Sequence, residues 1–150
     1  MTTTGTVTLE RRIAARPETV FSFFTDRDRW LSWMGKSGDF AFTPGGAFRT
    51  NVSADNVASG TFVEIDPPKR VVFTWGWEDD SMPVPPGSST VEITLEPDGD
   101  GTLLRLVHRD LPEPARAPHA EGWGHYLDRL VVRAEGGDPG ADEWMEEPPA

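Results

Sequence analysis

Trp123-Gly-His-Tyr-Leu-Asp-Arg-Leu-Val-Val-Arg-Ala134 is the stretch whose reading decides the fold. Apolar side chains fall at 123, 126, 127, 130, 131 and 134, the i, i+3, i+4, i+7 recurrence of an amphipathic helix. At about 100° per residue they gather on one broad stripe, with Glu121, His125, Asp128 and Val132 opposite. Such a stripe needs an apolar partner, and the chain before it reads mainly as short strands. The natural partner is therefore a sheet, and what sheet and helix enclose, a solid core or a pocket, decides function.

Working outward, residues 6–14 alternate as a strand, with Val7, Leu9 and Ile13 on one face and Thr8, Glu10 and Arg12 on the other. Arg11 shares the apolar parity, so it is either a strand-end charge reaching solvent or a cation facing inward. Pro17 opens a short helix where its missing N–H costs nothing, and Val20, Phe21 and Phe24 form its buried stripe. Residues 26–34 make a second short helical turn carrying Trp30, Trp33 and Met34. Residues 35–38 and Thr43-Pro-Gly-Gly46 have loop chemistry.

Five strands follow, at 47–52, 59–65, 70–77, 89–95 and 102–108. Asp66-Pro-Pro-Lys69 and Pro97-Asp-Gly-Asp-Gly101 are turns, and 78–87 is an acidic, proline-rich loop. Residues 112–118 read as a linker, with Pro118 opening the long helix at its first position. The order is strand, two short helices, antiparallel strands, long helix. That is an α+β class, a sheet of about six strands with helices on one side.

At 150 residues the chain is most simply one domain over 1–134, followed by an acidic Gly/Pro-rich flexible tail over 135–150. Within that tail, Trp144-Met145 is a candidate for docking on the body or on a partner. The domain can bury roughly 70% of its unfolded surface, enough for a core without staples. It has no cysteine, which removes disulfides and thiolate chemistry together. A formal net charge of −11 argues against nucleic acid and anionic membrane surfaces as partners. No apolar run approaches a membrane span and the first residues lack a signal-peptide pattern, so a cytoplasmic location is expected. Arginine outnumbers lysine 12 to 2, which points to a GC-rich bacterial genome.

Phosphate-loop, dinucleotide, serine-hydrolase and zinc-protease signatures are missing, and no cofactor or metal is expected. Glu121, His125 and Asp128 lie at i, i+4 and i+7, a spacing that a general base or a metal half-site would use. Their angles put them opposite Trp123, Leu127 and Leu130, so a solvated face is the simpler reading. His108 and His119 have inward parity instead. A lone inward histidine is commonly a hydrogen-bonded structural residue, whereas two at one end of a cavity are candidates for acid–base work. The aromatic residues are the strongest hint. Six indoles must each place an N–H, and rings with a few polar groups are the usual lining of a small-molecule pocket.

Three segments, Arg11-Arg-Ile-Ala-Ala-Arg-Pro-Glu-Thr-Val-Phe21, Asp66-Pro-Pro-Lys-Arg-Val-Val-Phe-Thr-Trp75 and His119-Ala-Glu-Gly-Trp-Gly-His-Tyr-Leu-Asp-Arg-Leu130, resemble one family in that order. It is the activator of heat-shock-protein-90 ATPase homologue-like family, within the START, polyketide-cyclase and birch-pollen-allergen (SRPBCC) superfamily. The resemblance runs over about residues 6–134 and implies a helix-grip fold, a curved antiparallel sheet wrapped around the C-terminal helix and a deep apolar cavity. Fold alone does not confer an activity.

The expected function is a binding module for an apolar, aromatic or lipid-like ligand held between sheet and helix. Trp33, Phe48, Phe73, Trp75, Trp77, Trp123 and Tyr126 would line the site, with His108 and His119 as polar anchors. The alternatives are a cyclase-, aromatase- or hydrolase-like enzyme using His108, His119 or Arg11 in the same cavity, and a protein-interaction or co-chaperone-like module using the outer sheet face or the tail.

Overall fold

The computed structural model describes residues 4–53, 56–78, 83–140 and 142. In chain order the elements are β1 (Thr4–Ile13), α1 (Pro17–Ser22), α2 (Arg27–Trp30), β2 (Ser37–Phe40), β3 (Ala47–Ser53), β4 (Asn56–Asp66), β5 (Arg70–Trp77), β6 (Ser89–Asp98), β7 (Gly101–Pro112) and α3 (Glu113–Ala134). All the strands join one seven-stranded sheet in the order β1-β7-β6-β5-β4-β3-β2, and every pairing is antiparallel. The first strand closes on the last, which seats β1 directly beside the strand that leads into α3. This is the α+β helix-grip arrangement expected from the sequence.

Local chemistry explains the turns between elements. Asp26 caps α2 by accepting from the backbone N–H of Arg29 at 3.0 Å. Gly99, at φ +60, takes the first place of the two-residue turn between Asp98 and Gly101, where a side chain would be strained. Register shifts interrupt β1 near Gly5 and Val7 and β4 near Phe62 and Glu64. Such irregularities sharpen the local twist and help the sheet curve.

The inner sheet face carries Val91, Ile93, Leu95, Leu104 and Leu106, all buried, and meets Trp123, Tyr126, Leu127, Leu130 and Ala134 of α3. Each large side chain so buried contributes about 1.5–3 kcal/mol before entropy is counted. The outer face of β5, β6 and β7 carries ion pairs instead: Glu92 holds Arg70 at 3.0 Å and Arg109 at 3.3 Å. On the helix side, Arg129 Nε donates to Trp33 O at 3.2 Å and Arg133 Nε to Ser32 O at 3.0 Å. These two bonds fasten α3 to the end of the α2 segment.

Three expectations need correction. The sheet has seven strands, because residues 37–40, within and beside the stretch read as loop, form β2 against β3. Ser-Gly-Asp-Phe has no apolar alternation to announce a strand; its pairing comes from backbone bonds and from Thr50 Oγ1, which donates to Ser37 O at 3.0 Å. Residues 112–118 are not a linker: α3 starts at Glu113 with Pro114 in its first turn. Pro118 therefore lies inside the helix rather than at its head, where its missing N–H forgoes the bond to the Pro114 carbonyl. Several strands also run further than the alternation reached, β7 as far as Pro112.

The segment after α3 touches the body where it is described. Glu135 Oε2 accepts from the backbone N–H of Ala14 at 2.8 Å, and Asp142 Oδ1 meets His125 Nε2 at 2.9 Å. The tail residues 141 and 143–150, including Trp144 and Met145, lie outside the described residues, as do 79–82 of the acidic loop.

Candidate functional site

Between sheet and helix the aromatic side chains form a continuous layer. From β3 and β5 come Phe48 and Phe73, with ring centroids 5.6 Å apart, and Phe48 meets Trp75 at 6.1 Å. Trp75 then meets Trp77 of the same strand at 5.5 Å and Trp123 of α3 at 5.1 Å. His108 of β7 and His119 of α3 close the far end, 5.1 Å apart and nearly perpendicular. The strand period of two puts Phe73, Trp75 and Trp77 on one side of β5, and one helical turn separates His119 from Trp123.

Two short hydrogen-bond chains fix this end of the layer. Trp123 Nε1 donates to His108 Nδ1 at 3.0 Å, so the imidazole proton sits on Nε2. That nitrogen is 2.8 Å from Ser89 Oγ, which in turn donates to the carbonyl of Trp75 at 2.7 Å. In the second chain Trp77 Nε1 donates to His119 Nε2 at 3.0 Å, and His119 Nδ1–H donates to Ala115 O at 2.7 Å. All four imidazole nitrogens are thus engaged within the protein.

The electrostatics agree with neutral rings. Burial, and then the neighbouring His119, lower the imidazole of His108 from its ordinary 6.5 to about 3. Burial also lowers His119, while its bond to Ala115 O works the other way. At neutral pH neither ring brings a charge into the layer. A base lowered that far is also poorly matched to proton abstraction near pH 7, where an effective general base has a pKa close to the working pH.

Seven of the nine residues expected at the site, Phe48, Phe73, Trp75, Trp77, His108, His119 and Trp123, are joined by these ring contacts. Trp33 lies deeper, reached through Trp30, with its Nε1 donating to Phe23 O at 3.2 Å. Tyr126 packs in the same core, its hydroxyl donating to Val52 O at 3.1 Å. Arg11 is not inside: its Nε pairs with Asp128 Oδ1 of α3 at 2.9 Å at the partly exposed margin. Glu121 is exposed, whereas His125 and Asp128 have separate partners in Asp142 and Arg11. Among the described residues, no three His, Asp or Glu side chains converge as a metal site.

The residues expected at the site did not include Ser89, or Trp30 although its ring was read as buried. Ser89 shares the inward parity of Val91, Ile93 and Leu95, and that parity was the available signal. Trp30 is fully buried and touches Phe40, Phe48, Phe62 and Phe73 at 4.9–6.5 Å, making it the hub of the deeper rings. The Nε1 atoms of Trp30 and Trp75 are buried without a hydrogen-bond partner. For a buried donor that is an unusual state, costing about 1–3 kcal/mol.

A family model described as Activator of Hsp90 ATPase homolog 1-like protein matches residues 14–135. Among solved structures, the AHSA1-like protein of Rhizobium etli is 43% identical, with a TM-score of 0.75 over 95% of this chain and 89% of that one. CalU16 from Micromonospora echinospora is 28% identical, with a TM-score of 0.73 over 89% of this chain and 78% of its own. DynU16, from the dynemicin biosynthetic locus, has a TM-score of 0.80 over 93% of this chain and 50% of its own. At 23% identity that last likeness concerns the fold alone. Comparison with curated proteins gave no match. Among the described residues no helix is long and apolar enough to cross a membrane.

Proposed function

The chain belongs to the Activator of Hsp90 ATPase homolog 1-like protein family, and from that premise we propose that it binds a small apolar or aromatic molecule in the layer between sheet and α3. The observation that carries this reading is the pair of buried, unpartnered indole N–H groups of Trp30 and Trp75. A core selected only for stability would pair or avoid such donors. A layer that receives a ligand keeps a few polar groups among its rings to orient it.

Phe48, Phe73, Trp75, Trp77 and Trp123 supply the apolar surface in this reading. His108 and His119 hold the indoles of Trp123 and Trp77 in place rather than offering a free nitrogen. Binding stands ahead of catalysis for the same reason, since both inward imidazoles are neutral and fully hydrogen-bonded.

Native mass spectrometry of the protein purified from its own host tests the proposal. A stoichiometric small molecule released on denaturation, with binding weakened by Trp123→Ala, is the expected result. A bare chain that also fails to take up fluorene or fluorenone would refute it. Turnover of a bound ligand that His108→Ala abolishes while binding survives would move the reading to an enzyme.

A further inference from the structure

We infer that the ligand of this layer is an uncharged ring system bearing a ketone- or quinone-type oxygen, and that this oxygen accepts a hydrogen bond from the indole N–H of Trp75. The inference rests on the binding reading above and names the chemical class that the site would select.

The disposition of the indole donors leads to it. Trp33, Trp77 and Trp123 use their N–H groups on Phe23 O, His119 and His108 respectively. Trp75, at 2% exposure, keeps its own unused. An indole can only donate, so the group that completes it must be an acceptor. The unused donor of Trp30 is a poorer candidate, because that ring is fully buried and its phenylalanine neighbours Phe40, Phe48, Phe62 and Phe73 offer no polar group to orient a ligand. Trp75 adjoins Trp77, a partly exposed ring at the margin of the layer, and has the imidazole of His108 among its neighbours.

Charge narrows the class further. The rings in contact with Trp75 are Phe48, Phe73, Trp77, His108 and Trp123, and none is a cation at neutral pH. Arg11 of β1, which has the inward parity in the sequence, is bound to Asp128 on the helix surface. A ligand carboxylate would therefore lose its hydration without meeting a positive group, a severe penalty. A carbonyl oxygen asks only for the one donor that the layer leaves unused. Missing a buried hydrogen-bond partner is also what lets such a site reject a close analogue.

Isothermal titration calorimetry with fluorene, fluorenone and a fluorenone carboxylate tests this on the full chain. These probes share one ring skeleton and differ in the carbonyl and the charge. Fluorenone should bind about tenfold more tightly than fluorene, as a buried hydrogen bond of ordinary strength implies, and the carboxylate should bind most weakly. Trp75→Phe should erase the preference for fluorenone, so that the two uncharged probes bind that variant alike. Should that variant fold poorly, the indole N–H resonance of Trp75 in the unaltered protein decides the matter. It should move further downfield with fluorenone than the ring-current shift that fluorene alone produces.

Equal affinity for fluorene and fluorenone, or a Trp75 resonance that moves no further downfield with fluorenone than with fluorene, overturns the carbonyl assignment while leaving the binding reading standing. Preference for the carboxylate overturns the argument from charge. If none of the three probes binds, the binding reading and this inference fall together.

Discussion

Trp123 Nε1 donates to His108 Nδ1 across 3.0 Å, and this bond sets the rotation of the long helix over the sheet. His108 hands the chain on to Ser89, and Ser89 to the carbonyl of Trp75. One indole on α3 is thereby tied to three adjacent strands, β7, β6 and β5. Because His108 is buried, its Nδ1 has no water to accept from when the indole is removed. Trp123→Phe keeps most of the ring and loses the donor. It should lower the unfolding free energy by about 1–3 kcal/mol, read from the urea midpoint at constant slope.

The two buried imidazoles make stability depend on pH with a definite sign. Unfolded, each takes a proton near 6.5; folded, His108 does so only near 3, and His119 is lowered as well. Above about 6.5 neither state gains a proton there, so the contribution is fully present. As pH falls from 6.5 towards 3, the unfolded chain binds protons that the folded one refuses. His108 alone should then remove up to about 1.4 kcal/mol per pH unit. Denaturation curves between those limits should show His108→Gln with a shallower loss than the unaltered protein.

The arginine contacts made by α3 should divide by their burial and partner. Arg129 and Arg133 donate to the carbonyls of Trp33 and Ser32, and Arg129→Met should cost about 1–2 kcal/mol by leaving a carbonyl without its charged donor. Asp128, which pairs with Arg11 in the open, should matter little: Asp128→Asn is expected to change stability by less than about 1 kcal/mol. Thermal melts of the two variants at low and high salt give the comparison, with only the second effect fading as salt rises.

Two glycines should lose stability to the same added methyl for different reasons. A Cβ on Gly76 would collide with the carbonyl of Pro85, where the chain folds back so that Trp77 N donates to Val84 O at 2.7 Å. Gly76→Ala should therefore cost about 2 kcal/mol or more, through displaced backbone beside the aromatic layer. Gly45 sits at φ +85 with open space around it, so Gly45→Ala carries only the strain of its backbone angle, about 1–2 kcal/mol. Denaturant midpoints measure both. Only the Gly76 change should also disturb the environment of Trp77 in near-ultraviolet circular dichroism.

Much of this arrangement was legible because two periodicities are local. The alternation of Val71, Phe73, Trp75 and Trp77 placed β5 at its observed bounds, and the stripe of Trp123, Leu127 and Leu130 gave the buried face of α3. The inward parity of His108 and the one-turn offset of His119 from Trp123 were likewise readable. Their partners were not, since Trp77 and His119 are 42 positions apart and meet only through tertiary register. β2 escaped because a four-residue strand held by backbone bonds leaves no side-chain pattern. The start of α3 escaped because Pro114 and Pro118 resemble a linker, although a helix tolerates proline in its first turn and can bear the loss of one further bond.

The most direct measurement is a titration of the unaltered protein with fluorene, followed through the indole N–H resonances. The account predicts that Trp75, Trp77 and Trp123 shift together along one saturable curve, because their rings share one continuous layer. Resonances of those three indoles that stay fixed up to the solubility limit of fluorene would contradict it, and would leave the aromatic layer as core alone.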